Sequence, residues 1–274
     1  MRLPRSPAFA LIALAATGFS LPAGAQRLAY ENVLEAEHRV GPRLNYESVL
    51  DQPLSPPAPA PPGEERVSDF YGDRFEWQPQ AGGDLFTWDI SGEIGDSRNR
   101  LWLAFTGDAV LGSGVEYLEA QALYSRLLGE SGFALHAGIR RDFLPRPRRS
   151  YGVFGVQGSV GALTYVGAYG FLSHRGEFTG RLSAYSDLAL TDRLILQPAA
   201  EMEIAGADVP ALGIGSGPVY VEGGLRLRYR LREAFSPYVG INWERLLGRT
   251  ARLAREEGEE VESAHFVLGV RSYF

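Results

Sequence analysis

From residue 67 to the end of the chain, apolar and polar residues alternate in runs of roughly ten, separated by small clusters of turn-forming residues. The clearest run is GGLRLRYRLR, Gly223 to Arg232. Leu225, Leu227, Tyr229 and Leu231 take every second place, and Arg226, Arg228, Arg230 and Arg232 fill the places between. A helix would scatter those arginines around its axis, whereas a strand sorts the same residues into one apolar and one basic face. The same reading predicts strands near 67–78, 84–94, 100–110, 116–127, 133–143, 151–160, 163–173, 178–190, 194–205, 219–231, 235–246 and 262–274. That is about twelve, an even number as closed single-chain bacterial barrels have.

The connections point the same way. Gly95 to Asn99, Gly129 to Ser131, Gly161-Ala162, Thr191 to Arg193 and Arg232 to Ala234 are short, while Leu144 to Ser150, Ala205 to Pro218 and Leu247 to Val261 are longer. Outer-membrane barrels keep short turns in the periplasm and long loops outside, which places both termini on the periplasmic side. No apolar run after the first residues approaches the roughly eighteen that a spanning helix needs; the longest, ALTYVGAYGFL (Ala162 to Leu172), suits a tilted strand. The expected fold is therefore all-β, an antiparallel transmembrane up-and-down barrel of about twelve strands. The rival is a soluble exported sandwich, which also has alternating strands.

Ahead of the barrel the character changes. MRLPRSPAFALIALAATGFSLPAGAQ has Arg2 and Arg5, an apolar stretch from Ala8 to Thr17 and a small-residue site at Ala23-Gly24-Ala25, so residues 1–25 read as a signal peptide. Residues 26–65 read as a disordered periplasmic tether. They carry the short repeat YENVL (Tyr30 to Leu34) and YESVL (Tyr46 to Leu50), then the proline-rich PLSPPAPAPPGEE, whose polyproline conformation makes a spacer. Residues 66–274 form the barrel.

Losing Arg2 and Arg5 with the leader takes the formal net charge from −6 to −8. An acidic balance argues against nucleic acid as a partner. The chain has no cysteine, which excludes disulfide staples and thiolate metal sites.

In a bilayer the leucine face of Gly223 to Arg232 must meet lipid, because a cationic residue on that side costs about 2–4 kcal/mol at mid-depth. Arg226, Arg228 and Arg230 then line the lumen. The same parity sends Glu119, Gln121, His136, Arg140, Asp142, Arg181, Asp187, Gln197, Glu201, Glu203, Glu222, Asn242, Glu244, His265 and Arg271 inward. Acids and guanidinium groups in comparable number predict an ion-pair network, which either braces the interior or lines a polar, cation-handling cavity.

Several stretches resemble the copper resistance protein B family of outer-membrane proteins: GDSRNRLWL (Gly95 to Leu103), EAQALYSR (Glu119 to Arg126), GIRRDF (Gly138 to Phe143), DRLILQPAAE (Asp192 to Glu201), PALGIGSG (Pro210 to Gly217), GLRLRYRLREAFSPYVGINWER (Gly224 to Arg245) and the final GVRSYF. The resemblance implies an outer-membrane barrel of a Gram-negative bacterium that binds copper and takes part in copper tolerance, with periplasmic copper proteins as partners. Members of that family commonly carry a Met- and His-rich stretch before the barrel. This chain has none: apart from Met1 its only methionine is Met202, and between Gln26 and Glu65 the only histidine is His38. The candidate metal ligands that remain are His136 and His265 with Glu119, Glu201 or Glu222, a nitrogen and oxygen set that Cu(II) accepts. A lone histidine in a charged interior is more often a hydrogen-bonded member of the network than a ligand.

Three further features bear on partners and chemistry. Arg146, Arg148 and Arg149, in an outward loop, are candidates for contact with the phosphates of lipopolysaccharide. The last strand, FVLGVRSYF, ends on an aromatic and resembles the signal read by the barrel-assembly machinery. Ser173 beside His174 is the only hint of a hydrolase, and adjacent residues on a strand face opposite ways, so the chain reads as a non-enzyme. The alternative to copper handling is a narrow channel, or a barrel that interacts with lipopolysaccharide and has no copper specificity.

Overall fold

The structure, a computed structural model, describes residues 67–80, 83–129, 131–144, 146–161, 163–232 and 234–273. The expected signal peptide, the tether with its Tyr30 and Tyr46 repeat, His38 and the terminal Phe274 lie outside the described residues. The strands are β1 (Val67–Gln78), β2 (Leu85–Gly95), β3 (Asn99–Val110), β4 (Gly114–Leu127), β5 (Phe133–Leu144), β6 (Arg149–Val160), β7 (Thr164–Ser173), β8 (Phe178–Ser186), the two-residue β9 (Leu188–Ala189), β10 (Leu194–Ala205), β11 (Gly217–Tyr229), β12 (Phe235–Leu246) and β13 (Glu262–Tyr273).

Each strand pairs antiparallel with its neighbours, β9 serving as a stub that continues the line of β8 along β10. Pairing of β13 with β1 closes the ring, so the twelve long strands have no free edge. No helix among the described residues is long and apolar enough to cross a membrane; the spanning segments are strands.

Burial separates the two faces as the alternation requires. On β11, Leu225, Leu227 and Tyr229 are exposed while Arg226 and Arg228 are buried. An outward apolar belt follows around the ring, with Ile90, Leu103, Phe105, Ile139, Ile241 and Phe266 among its exposed members. Glycines let large side chains lie flat against the sheet, on the lumen face at Gly155 and on the outward face at Gly170. The ring of Tyr169 lies over Gly155 and that of Phe154 over Gly170, so that a Cβ at either glycine would come within 2.3 and 2.4 Å of the ring atoms.

Three details depart from expectation. β11 stops at Tyr229, which leaves Arg230 exposed at the end that carries the chain termini and outside the lumen. The connection of residues 145–148 is short, so the long loops are confined to the third of the barrel formed by β10 to β13. The second of them contains a helix, α1 (Gly248–Glu257), where an irregular loop was expected. Its sequence, GRTARLAREE, sets Thr250, Ala251 and Ala254 on a buried face and leaves Arg252, Arg255 and Glu256 exposed, and the left-handed Gly258 closes it by donating to the carbonyls of Ala254 and Arg255.

α1 is tied to the other long loop, residues 206–216. The Gly215 amide donates to Thr250 Oγ1 at 3.0 Å, and Arg249 meets Asp208 at 2.9 Å. The Ser216 amide donates to Asp208 at 2.8 Å, and with the Ser216 side chain and Arg249 it holds the Asp208 carboxyl below the usual carboxylate range.

Two outcomes test this architecture. Replacement of lipid-facing Leu225 by Arg should cost about 2–4 kcal/mol in urea unfolding from lipid vesicles, against about 0–1 kcal/mol for Leu231→Arg beyond the strand end. Because its folded-state pKa lies below the unfolded value, Asp208 holds the loop at neutral pH and releases it as the pH falls through that lowered value. The Ser216 amide resonance should therefore titrate below the usual carboxylate range, and Asp208→Asn should abolish the titration.

Candidate functional site

The lumen wall is where the sequence concentrates chemistry, and four groups of its side chains bear on a site. In the first, Arg140 on β5 lies 2.6 Å from Glu119 on β4 and 2.8 Å from Asp142 on its own strand, and the Tyr117 hydroxyl donates to Glu119. In the second, Arg181 on β8 reaches Glu203 at 3.2 Å and Glu201 at 3.4 Å on β10, and Tyr220 donates to Glu201. Phe171 stands between the two groups with the Arg140 and Arg181 guanidinium carbons 5.1 and 5.0 Å from its ring centroid. A lumen-facing Phe thus separates two cations that would otherwise repel, and each gains from the ring face.

The third group joins distant strands. Arg226 on β11 donates through Nε and Nη2 to one oxygen of Glu76 on β1, at 3.0 and 2.8 Å, and the Tyr238 hydroxyl on β12 donates to the same oxygen at 3.0 Å. Beside it Arg271 donates to Asp73 at 2.9 Å, and Arg228 donates to Asp187 at 3.1 Å. A cavity of about 10 Å³, room for one water, lies among Asp73, Gln197, Arg226, Arg228, Tyr238 and Arg271. The interior there is filled by side chains.

The fourth group is a row of acids. Glu201 on β10 is paired directly with Glu222 on β11, and Glu222 with Glu244 on β12. Asn242 and His265 form the next pair between β12 and β13. Carboxylates set directly opposite one another destabilise a sheet unless something compensates them.

The expected metal ligands are only partly brought together. Glu201 and Glu222 are neighbours, but Glu119 belongs to the Arg140 group. His136 is five strands from His265 in the sheet order, and its Nε2 is 3.4 Å from Ser125 with its ring edge-on to Tyr169. Among the described residues no three of His, Cys, Asp and Glu converge closely enough to hold a metal ion. The soft donor Met202 falls outside the lumen row, between lumen-facing Glu201 and Glu203.

Of the three arginines assigned to lipid phosphates, Arg146 and Arg148 are exposed, but Arg149 is buried. It is the first residue of β6, not part of the loop, and lies 3.3 Å from Glu177. Ser173 donates to Glu177 at 2.7 Å, while His174 Nδ1 accepts from the Ser150 amide at 3.3 Å, so this adjacent pair has separate partners.

The alternation missed Asp73, Arg74 and Glu76 on β1. A bulge between Gly72 and Arg74 shifts the register there, and it turns the consecutive Asp73 and Arg74 both into buried positions. The inward tyrosines Tyr117, Tyr220 and Tyr238 share parity with the charges and were legible from that parity, although their ring character suits either face.

The Glu76 group gives a direct test. Glu76→Gln should strand the buried Arg226 charge and cost about 3–5 kcal/mol in urea unfolding, whereas replacing both Glu76 and Arg226 by Leu should cost much less.

Comparison with known proteins identifies the family. Residues 66–274 match the model of a family described as copper resistance protein B precursor (CopB). A copper resistance protein B homolog of Pseudomonas syringae pv. tomato is 41% identical over 75% of this chain and 69% of its own length. Copper resistance protein B of Escherichia coli is 37% identical over 74% of this chain and 68% of its own. Among solved structures, the KdgM porin is similar at 15% identity, with 76% of this chain and 99% of that one covered and a TM-score of 0.47. The chain belongs to the copper resistance protein B family and is an outer-membrane β-barrel.

Proposed function

We propose that this barrel contributes to copper resistance by binding copper ions, as cargo, at the polar wall of its lumen. The observation that carries the reading is the acid row on β10 to β12 inside a barrel of a copper resistance family. The donor chemistry narrows the ion. With no cysteine, and with Met202 off the lumen row, the described wall offers carboxylates, amides and imidazoles, which suit Cu(II) and not Cu(I).

Binding is favoured over free passage. Arg226, Arg228, Arg271 and Tyr238 occupy the interior around a water-sized cavity, so a copper ion crossing there would have to displace ion-paired side chains. Capture at the wall needs no such rearrangement. The reading assigns the protein no catalytic step, and it places the chain ahead of the barrel in the periplasm, within reach of periplasmic copper proteins.

A second reading draws on the loop end. Arg146, Arg148 and Arg175 are exposed on two connections, with Arg141 exposed on β5 nearby, and the His174 amide joins the two hairpins by donating to the Ser150 carbonyl at 2.8 Å. A basic rim of this kind suits lipopolysaccharide phosphates and requires no copper. Charge reversal at Arg146 and Arg148 should reduce the lipopolysaccharide retained on purified protein.

Deletion of the gene should raise copper sensitivity, with tolerance restored by the full chain, and the refolded protein should bind Cu(II) in calorimetry. A deletion strain as tolerant as its parent, together with no heat of Cu(II) binding, would leave only the second reading.

A further inference from the structure

Within the acid row, four buried oxygens make no well-formed hydrogen bond, the Asn242 amide being the side-chain donor nearest Glu222. They are Oε2 of Glu201, both carboxylate oxygens of Glu222 and Oδ1 of Asn242. They come from three consecutive strands. Glu201 is paired with Glu222, and Asn242 is paired with Gly224, two residues along β11 from Glu222. Opposed side chains of adjacent strands stand about 4.5–5.5 Å apart at Cβ and diagonal ones about 7–8 Å, so these oxygens share one small patch of wall. Glu222 is 3% exposed and Glu201 4%, so bulk water does not solvate them.

All four atoms are acceptors, three of them on carboxyl groups. A buried carboxylate without a donor is among the costlier arrangements a protein can hold, and it calls for a compensating partner. The cations of the wall supply only part of it. Arg181 is engaged by Glu203 and by the other oxygen of Glu201, and Arg226 is engaged by Glu76. Arg74 and Arg226 lie within electrostatic reach of Glu222, but so does the carboxylate of Glu244.

We propose that Glu201, Glu222 and Asn242, flanked by Glu244, form a divalent-cation site in the lumen wall, liganded through oxygen. Two carboxylates and an amide carbonyl match the donor set that Ca²⁺ and Mg²⁺ take, with water completing the shell, and Cu(II) also binds such donors. The third ligand is an amide, which is why the patch is not a cluster of three acids. The site gives the copper reading a location, yet it stands on the orphaned oxygens and holds whichever divalent ion fills it.

The test uses the full chain, folded in detergent, stripped with chelator and titrated separately with Cu(II), Ca²⁺ and Mg²⁺. The wild type should bind at least one of these ions at one equivalent and gain melting temperature with it. Glu222→Gln should weaken that equivalent by about tenfold or more. Without any ion, Glu222→Gln should melt no lower than wild type, because it removes a buried acid set against the Glu244 carboxylate; this separates loss of a ligand from loss of fold. Glu256→Gln, on the exposed face of α1, should bind as wild type does. The proposal is overturned if no divalent ion binds, or if Glu222→Gln binds as well as wild type. Ca²⁺ or Mg²⁺ binding lost in Glu222→Gln, with Cu(II) inert, upholds the site and removes copper as its occupant; a copper-tolerant deletion strain removes the copper role and leaves the site standing.

Discussion

A guanidinium enclosed by a ring of strands has to meet a carboxylate, because an unpaired charge taken out of water costs several kcal/mol even after relaxation. That requirement organises this barrel. The apolar residues, which in a soluble protein would make the core, are turned outward to lipid, so the interior is left to Arg, Glu, Asp and Tyr. Pairing inside then does what hydrophobic packing does elsewhere. Arg226 ties β11 to β1 through Glu76, and Arg271 ties β13 to β1 through Asp73; both bonds span the seam where the first and last strands meet.

The pairing is uneven around the ring, and the unevenness has a chemical consequence. Near β4, β5 and β8, each arginine has two carboxylates, and Phe171 keeps Arg140 and Arg181 apart. On β10 to β12 the acids outnumber the cations that face them, and oxygens are left over. The stretch from β10 to β13 carries both long loops, and α1 is bound to the neighbouring loop through Thr250 and Arg249. Structure beyond the bare barrel is therefore gathered on the side that carries the row of Glu201, Glu222 and Glu244. The proposed cation site lies on that side.

Strand positions, the twelvefold count and the sorting of Leu225 and Leu227 from Arg226 and Arg228 were all legible in the sequence. Period-two alternation is a local property, and the cost of charge in lipid decides which face looks outward. Local pattern failed where geometry is set by something beyond the next residue. Arg230 continues the alternation but lies past the last strand pair, and Arg149 looked like part of a loop until its pairing with Asp142 showed it to begin β6. α1 was hidden because a short amphipathic helix inside a charged loop takes its stability from the surface it packs against.

Which lumen charges meet was decided only by closure of the sheet. Glu76 and Arg226 are 150 residues apart, and no spacing rule joins them. The β1 bulge that turns Asp73 and Arg74 inward together arises from pairing with β2 and breaks the parity on which the reading of faces rests. The row of Glu201, Glu222 and Glu244 likewise comes from strand register, which places three acids from separate strands side by side. Alternation along one strand tells each side chain which way to face; only the offset between strands tells it whom it faces.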